Sequence, residues 1–394
     1  HQGFDLLLSD AAVQSAQADL QTSRTLPAPV LGLSAGWTSG YDAAAAGPGA
    51  SDRAYAASLS DSNALSDLLW GKRRLRTRVA QAALEAARLG RQDAERTLLG
   101  LLRQQYLQTA LAGRARSVAE EVAQSARKTL DLVEVRCQAG AVSEADVARA
   151  RVAWLEARQG VDAAAQAERS NQAGLAFLLG YRDAPPVFLL DRRFEDPDVS
   201  APPAGSTADL LEAARAHRPD LQAALAQERR AQASLQLARR DWAPDLTWTV
   251  GVSQEGTGQN ALQPRTYTLG VAVPLPSPRH IRGEIAKAEV DLRTQILQRG
   301  KLEAQVALDV ANANAALQAS RSRLERMRQD LLPSARQAFH LVAFQYEKGA
   351  TSLLDVLDAQ RTLMATQAEF LQDLNDYWTA RFQLDQALGK DSLR

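Results

Sequence analysis

The residues best placed to do chemistry fall in two short segments with the same order. Gly140-Ala141-Val142-Ser143 leads to Asp146, and Gly349-Ala350-Thr351-Ser352 leads to Asp355. Each Ser thus precedes an Asp by three residues, behind a glycine. A glycine supplies the left-handed residue that ends one helix. Ser and Asp then open the next helix as a capping box, with the carboxylate near the positive end of the helix dipole. A second chemistry is open to the same carboxylates. Asp358 lies one turn beyond Asp355 and is not needed for the cap, because its counterpart in the first segment is Arg149. Copies of Asp358 around a narrow mouth would repel one another, titrate at raised pKa and attract cations, a preference that Asp355 would share.

Other chemistries find no support. The single Cys137 excludes a disulfide framework and a Cys-based zinc site, and on a helix a lone thiol is a packing residue. The four histidines (His1, His217, His280, His340) form no metal-binding spacing. Gly256-Thr257-Gly258-Gln259-Asn260-Ala261 fits a dinucleotide pattern, but Leu262-Gln263-Pro264 follows in place of a helix, so a hairpin loop is expected. No cofactor, resident metal or enzymatic activity is expected.

The two segments belong to a duplication. At a shift of 209 positions, residues 125–180 align without a gap on 334–389, with 14 identities in 56 positions, 6 of them within 140–150. At a slightly different shift, Ala28-Pro29, Gly36, Arg53, Tyr55 and Gly71 align on Ala243-Pro244, Gly251, Arg265, Tyr267 and Gly283. Residues 1–182 and 206–394 therefore form two structural repeats. Each reads as a short helix, two strands, a long helix, a glycine turn and a shorter helix. Residues 183–205 hold five of the fifteen prolines and join the repeats as a linker.

Helix lengths carry geometry. In the first repeat the long helix runs to about 139 and is followed by a helix over 141–180. In the second, the pattern predicts helices over 206–242, over 280–348 and over 351–389. The long one spans roughly 100 Å at the helical rise, and the two shorter ones stacked end to end would match it, as in a tube wall of antiparallel helices. Pro333 should kink the long helix or reset its hydrogen bonds. The last helix repeats apolar doublets every seven residues (Val356-Leu357, Leu363-Met364, Phe370-Leu371, Tyr377-Trp378), which predicts coiled-coil packing along a wide stripe.

Hairpins are expected over about 28–62 and 244–275. Leu246, Trp248, Val250 and Val252 alternate with small or polar residues, as do Tyr267, Leu269, Val271 and Val273, and Leu31, Leu33, Ala35 and Trp37. Tyr55, Ala57 and Leu59 do so more weakly. Runs of about 9–11 residues with one apolar face suit tilted membrane strands. Trp37, Tyr41, Tyr55, Trp70, Trp242, Trp248 and Tyr267 gather near the strand ends, where a membrane interface favours such rings. Four strands leave open edges that lipid does not tolerate, so several chains must share one barrel, and three chains give twelve strands.

Composition bounds the rest. With 46 basic and 46 acidic residues in 394, no cationic excess steers nucleic acid. Hydrophobic residues at 45% argue against disorder, and 5% aromatics suit long helices. No 18-residue apolar run predicts a membrane helix. The first residues from His1 show no charged segment followed by an apolar one, so location has to be read from other features.

The segment Tyr346-Glu347-Lys348-Gly349-Ala350-Thr351-Ser352-Leu353-Leu354-Asp355-Val356-Leu357-Asp358-Ala359-Gln360 resembles the periplasmic tip of the TolC family of outer-membrane efflux proteins. Gly71 after Leu68-Leu69-Trp70 and the closing Leu388-Gly389 are similar to further family landmarks, and the likeness covers nearly the whole chain. The resemblance implies a mostly α fold with a small β part. Three chains would form a 12-stranded β-barrel in the bacterial outer membrane, continuous with a long periplasmic α-helical barrel. It implies a homotrimeric channel, the exit duct of a tripartite efflux pump or a type I secretion system, with a periplasmic adaptor and an inner-membrane transporter as partners. The tip turns Gly140–Ser143 and Gly349–Ser352 would meet the adaptor. Asp355 and Asp358 fall on the family's acidic rings, and Tyr346 and Asp146 on positions of a closing hydrogen bond. Thr351 replaces an Arg that pairs with a neighbour as an ionic lock in the best-known members, so that lock cannot form, and Ala145 lacks a hydroxyl found at its position there. The rival reading is a soluble or periplasmic coiled-coil scaffold with hairpin tips, which would have no use for a lipid-facing strand surface.

Overall fold

The computed structural model describes residues 3–37, 53–61, 64–181, 206–254, 265–275 and 277–389, with isolated positions such as Ala44 and Phe194. Most of the 183–205 linker, Tyr41, and the Gly256–Ala261 motif lie outside the described residues. The described elements in chain order are α1 (Phe4–Arg24), β1 (Val30–Trp37), β2 (Arg53–Ser60), α2 (Ala64–Leu69), α3 (Lys72–Gln138), α4 (Glu144–Leu179), α5 (Thr207–His217), α6 (Pro219–Arg240), β3 (Thr247–Gln254), β4 (Thr266–Ala272), α7 (Pro278–Arg326), α8 (Leu332–Glu347) and α9 (Leu353–Leu388). The fold is mostly helical with one small antiparallel sheet, as expected. Among the described residues no helix is long and apolar enough to cross a membrane.

Two expectations of element length need correction, for the 206–242 helix and for the strands. The 206–242 helix is broken into α5 and α6 at Pro219. Proline disfavours helical backbone at the residue before it, and Arg218 is extended (φ −75°, ψ 118°). In the 280–348 helix, the local reset of hydrogen bonds expected at Pro333 is found. A π-helical turn, Met327–Leu331, precedes the proline, and the Leu332 N–H reaches back to the Met327 carbonyl. The wider turn absorbs the missing proline donor between α7 and α8. The strands, at 7 or 8 residues, are shorter than expected, and β1, β2 and β3 each end against residues outside the described set.

The chain forms two compact units, and each draws on both sequence repeats. One comprises Ala11–Gly90 and Asp220–Lys301. It holds the sheet, in which β1, β2, β3 and β4 pair in that order, all antiparallel. The β2–β3 pairing therefore joins the hairpins of the two repeats. Beside it, Lys72 is buried with its Nζ 2.7 Å from Asp245 and 3.4 Å from Asp241. Arg76 grips the buried carboxylate of Asp67 with both terminal nitrogens.

The other unit comprises His1–Asp10, Arg91–Pro219 and Leu302–Arg394. One of its cores gathers Leu107, Leu111, Leu324, Leu374, Tyr377 and Phe382 around Phe194. The Phe194 ring meets Trp378 edge-on at 5.0 Å between centroids, and the Trp378 indole donates to the Phe194 carbonyl at 3.0 Å. A residue of the Pro-rich segment is thus an anchor in this core. Of the α9 doublets, Val356 and Tyr377 are buried, whereas Leu363, Met364, Phe370 and Leu371 are only half-buried in the single chain.

Candidate functional site

Two sites emerge, a pair of helical tips and a sheet face. At the first tip, α3 ends where Gly140 takes φ +71°. The Gly140 N–H donates to Cys137 O at 2.9 Å and the Ala141 N–H to Arg136 O at 2.9 Å, the pattern of a Schellman stop. At the second, Gly349 takes φ +81°, and the Gly349 and Ala350 N–H groups reach Tyr346 O and Gln345 O, both at 2.9 Å. The restart is also duplicated. The Asp146 N–H donates to Ser143 Oγ at 3.2 Å while Asp146 Oδ2 accepts from the Ser143 hydroxyl at 2.8 Å. The Asp355 N–H donates to Ser352 Oγ at 3.3 Å while Asp355 Oδ2 accepts from the Ser352 hydroxyl at 2.7 Å.

These caps assign the carboxylates. Hydrogen bonds from Thr351, at 2.6 Å, then from the Ser352 side chain and backbone, hold the Asp355 carboxyl below its usual range. Ser143 does the same for Asp146, with a smaller contribution from Arg149. Within the single chain, Asp355 is therefore lowered by its cap. Asp358 is exposed and, among the described residues, makes no hydrogen bond or ion pair. It lines a groove of about 760 Å³ between α4 and α9 with Arg149, Glu156, Leu357 and Arg361.

Beneath the tips one core joins four helices: Leu130 and Val133 of α3, Ala150 of α4, Tyr346 of α8, and Leu353 and Val356 of α9. Tyr346 is buried and its hydroxyl has no hydrogen-bond partner, so no bond joins it to Asp146. What holds Tyr346 is Arg136, a residue that the sequence reading missed. Its guanidinium stacks 4.6 Å from the ring centroid and donates to Glu347 O at 2.8 Å, across 211 positions of sequence. Arg127 stacks likewise on Trp154, at 5.1 Å, tying α3 to α4. An Arg directly before the tip residue Cys137 was the available signal, but nothing local to it names its ring.

The sheet carries the second site. Pairing aligns Leu31, Leu59, Val250 and Leu269 in one row across all four strands, and Leu33, Ala57, Val252 and Tyr267 in the next. The opposite face shows Gly32, Ser58, Gly251 and Thr268, then Ser34, Ala56, Ser253 and Thr266. The apolar rows are bare: Leu33 is 74% exposed, Leu269 72% and Tyr267 77%. Trp37, Tyr55, Trp70, Trp242 and Trp248 are exposed as well. β1 and β4 each keep one free edge among the described strands.

Known proteins resemble this chain along most of its length. The family model for outer membrane efflux proteins matches residues 2–181 and 210–390. The cobalt-zinc-cadmium resistance protein CzcC of Cupriavidus metallidurans is 26% identical over 324 residues, covering 82% of this chain and 75% of that one. The pyoverdine export outer membrane protein OpmQ of Pseudomonas putida is 30% identical over 328 residues, covering 80% of this chain and 65% of its own length. Among solved structures, the open state of the Neisseria gonorrhoeae MtrE outer membrane channel superposes with a TM-score of 0.79 at 21% identity, covering 99% of this chain and 86% of that one.

Proposed function

Because the chain belongs to the outer membrane efflux protein family, whose members are channel and efflux proteins and not enzymes, we propose that three copies form an outer-membrane exit duct. The duct would extend into the periplasm, serve a tripartite efflux pump or a type I secretion system, and be gated at its tip. The observation that carries this reading is the bare apolar sheet face. Rows of Leu, Val and Tyr side chains, with Ala57 among them, run across four strands, and such a surface is stable only against lipid or a partner. An open four-stranded sheet leaves two edges that lipid cannot satisfy, so the sheets of several copies must join. A coiled-coil scaffold with hairpin tips gives no reason for these rows.

At the tip, the caps engage Asp146 and Asp355, which leaves Asp358, of the two ring carboxylates, free to face a pore. Arg136 on Tyr346 is the tie between helices of the two repeats, and it takes the place of the ionic lock that Thr351 cannot make. The turns Gly140–Ser143 and Gly349–Ser352 would present the surface for a periplasmic adaptor. The relatives are named for metal resistance and for pyoverdine export, so cargo choice would rest with the transporter, not the duct.

Fractionation tests the reading. The chain should be recovered with the outer membrane, need detergent for extraction, run as a trimer, and form conducting channels in planar bilayers. Recovery as a monomer from aqueous extracts would sink it.

A further inference from the structure

The four strand ends that join the helices lie together at one end of the sheet, since Val30 pairs with Ser60, Ser60 with Thr249, and Thr247 with Ala272. Their connections and the adjoining helix ends, residues 24–30, 60–78, 239–247 and 272–284, hold ten Arg and Lys against five Asp and Glu, in a chain whose total charge is zero. Part of this charge is neutralised within the protein. Lys72 meets Asp241 and Asp245, Arg76 meets Asp67, and Arg239 meets Glu289 at 2.9 Å. The side chains of Arg74, Arg78, Arg240, Arg279 and Arg282 are exposed and, among the described residues, have no partner.

The placement of Arg74 and Arg279 opposes helix electrostatics, whereas Arg240 lies in the last turn of α6, where a cation is favoured. Acidic side chains are favoured in a first helical turn and basic ones are not. The starts of α1, α2, α4, α5, α6 and α9 follow that rule, with Asp5, Asp67, Glu144, Asp209, Asp220 and Asp355. The two long helices that leave the sheet, α3 and α7, carry no acid in the first turn. They begin Lys72-Arg73-Arg74 and Pro278-Arg279-His280 instead. Cations repelled by the helix ends and by one another gain from an external anion.

The neighbours of these arginines name that anion. Trp70 and Trp242 are exposed beside the starts of α3 and the end of α6, Leu275 is 91% exposed just before α7, and the bare apolar rows of the sheet follow directly. Apolar rows, then indoles, then guanidinium groups is the order met on crossing from acyl chains through the interface to phosphates. Guanidinium also matches a phosphate diester in a fork that an ammonium cannot provide. We infer that this end of the sheet docks on an anionic phospholipid leaflet, with Arg74, Arg78, Arg240, Arg279 and Arg282 holding the headgroup phosphates. The inference rests on the membrane reading proposed above and adds a lipid preference to it.

The test is native mass spectrometry of the detergent-extracted assembly, titrated with phosphatidylglycerol or phosphatidylcholine. Wild type should retain phosphatidylglycerol about tenfold better. The preference should vanish when the five arginines become Gln, and return in part when they become Lys. It should also fall as salt rises in the wild type alone, which decides the matter if the Gln variant does not fold. Equal retention of both lipids by wild type overturns the inference. So does protection by inorganic phosphate alone as strong as that by the lipid, since the site would then take free phosphate. A Gln variant that keeps its lipid but changes ion selectivity in planar bilayers overturns it too, because the arginines would line the lumen. Wild type absent from the outer membrane overturns the channel reading itself, an outcome separate from these.

Discussion

At Gly140 and at Gly349 the backbone turns at φ +71° and +81°, and in both places the glycine N–H and the N–H after it close the same pair of bonds onto the ending helix. Ser143 and Ser352 then open α4 and α9 with the same capping box. The differences lie at positions this chemistry does not use. Cys137 faces Tyr346 across the repeat, Val142 faces Thr351, and Arg149 faces Asp358. The turn fixes glycine, Ser and Asp because local geometry demands them, whereas positions the turn leaves free have diverged. Divergence therefore marks where the two tips serve different roles.

The comparison breaks first at its aromatic member. Tyr346→Ala should destabilise the tip by about 3–5 kcal/mol, because it empties a site buried among four helices. Cys137→Ala should cost far less, and Tyr346→Phe should be neutral, since the hydroxyl it removes has no partner. Hydrogen exchange of the tip amides reads all three. A severe Cys137→Ala variant would show the tips to be more alike than their packing indicates.

Next come the glycines. No atom lies near a Cβ at Gly140 or Gly349, so Ala at either site costs only backbone strain, about 1–2 kcal/mol and equal for both. At Gly389, also left-handed at φ +66°, a Cβ would lie 3.0 Å from the His217 backbone, and Ala there should cost more. Equal unfolding free energies for all three variants would contradict this.

The caps are smaller terms. Ser143→Ala and Ser352→Ala should each lose about 1 kcal/mol. Both Asp pKa values are lowered by folding. The stability they carry is therefore full above the usual aspartate range and is lost as pH falls through the lowered values. Amide protection at both tips should thus be flat from neutral to mildly acidic pH and drop only below the usual range. Thr351→Val, which makes the second tip copy Val142 of the first, should relax the depression at Asp355 and leave Asp146 unchanged. An early loss of protection near pH 6 would argue against the caps.

The smallest effect on stability belongs to Asp358. Asp358→Asn should change it by less than about 0.5 kcal/mol, as for other exposed positions. It should nonetheless lower cation preference and cation block in planar bilayers, whereas Asp355→Asn should mainly loosen the start of α9. If Asp358→Asn leaves single-channel selectivity and block intact, the free carboxylate is not in the pore.

Much of this was legible in the amino-acid order because it rests on short-range rules. A glycine stop, a Ser and Asp three apart, and alternation with a period of two each report on neighbours within a few residues. They located both tips, all four strands and the apolar sheet face. Pro219 was equally local, yet the helical pattern on both sides of it masked the break at Arg218.

Tertiary structure decided what depends on distant partners. Only the fold shows that β2 pairs with β3, that Phe194 enters a core with Trp378, and that Arg136 stacks on Tyr346 while its hydroxyl stays unpaired. Only the fold separates Asp355, whose Oδ2 is engaged by its cap, from Asp358, left free one turn away. The sequence alone determines which backbone shapes the residues prefer. It does not determine which side chains meet across two hundred residues, because that choice depends on how the helices pack.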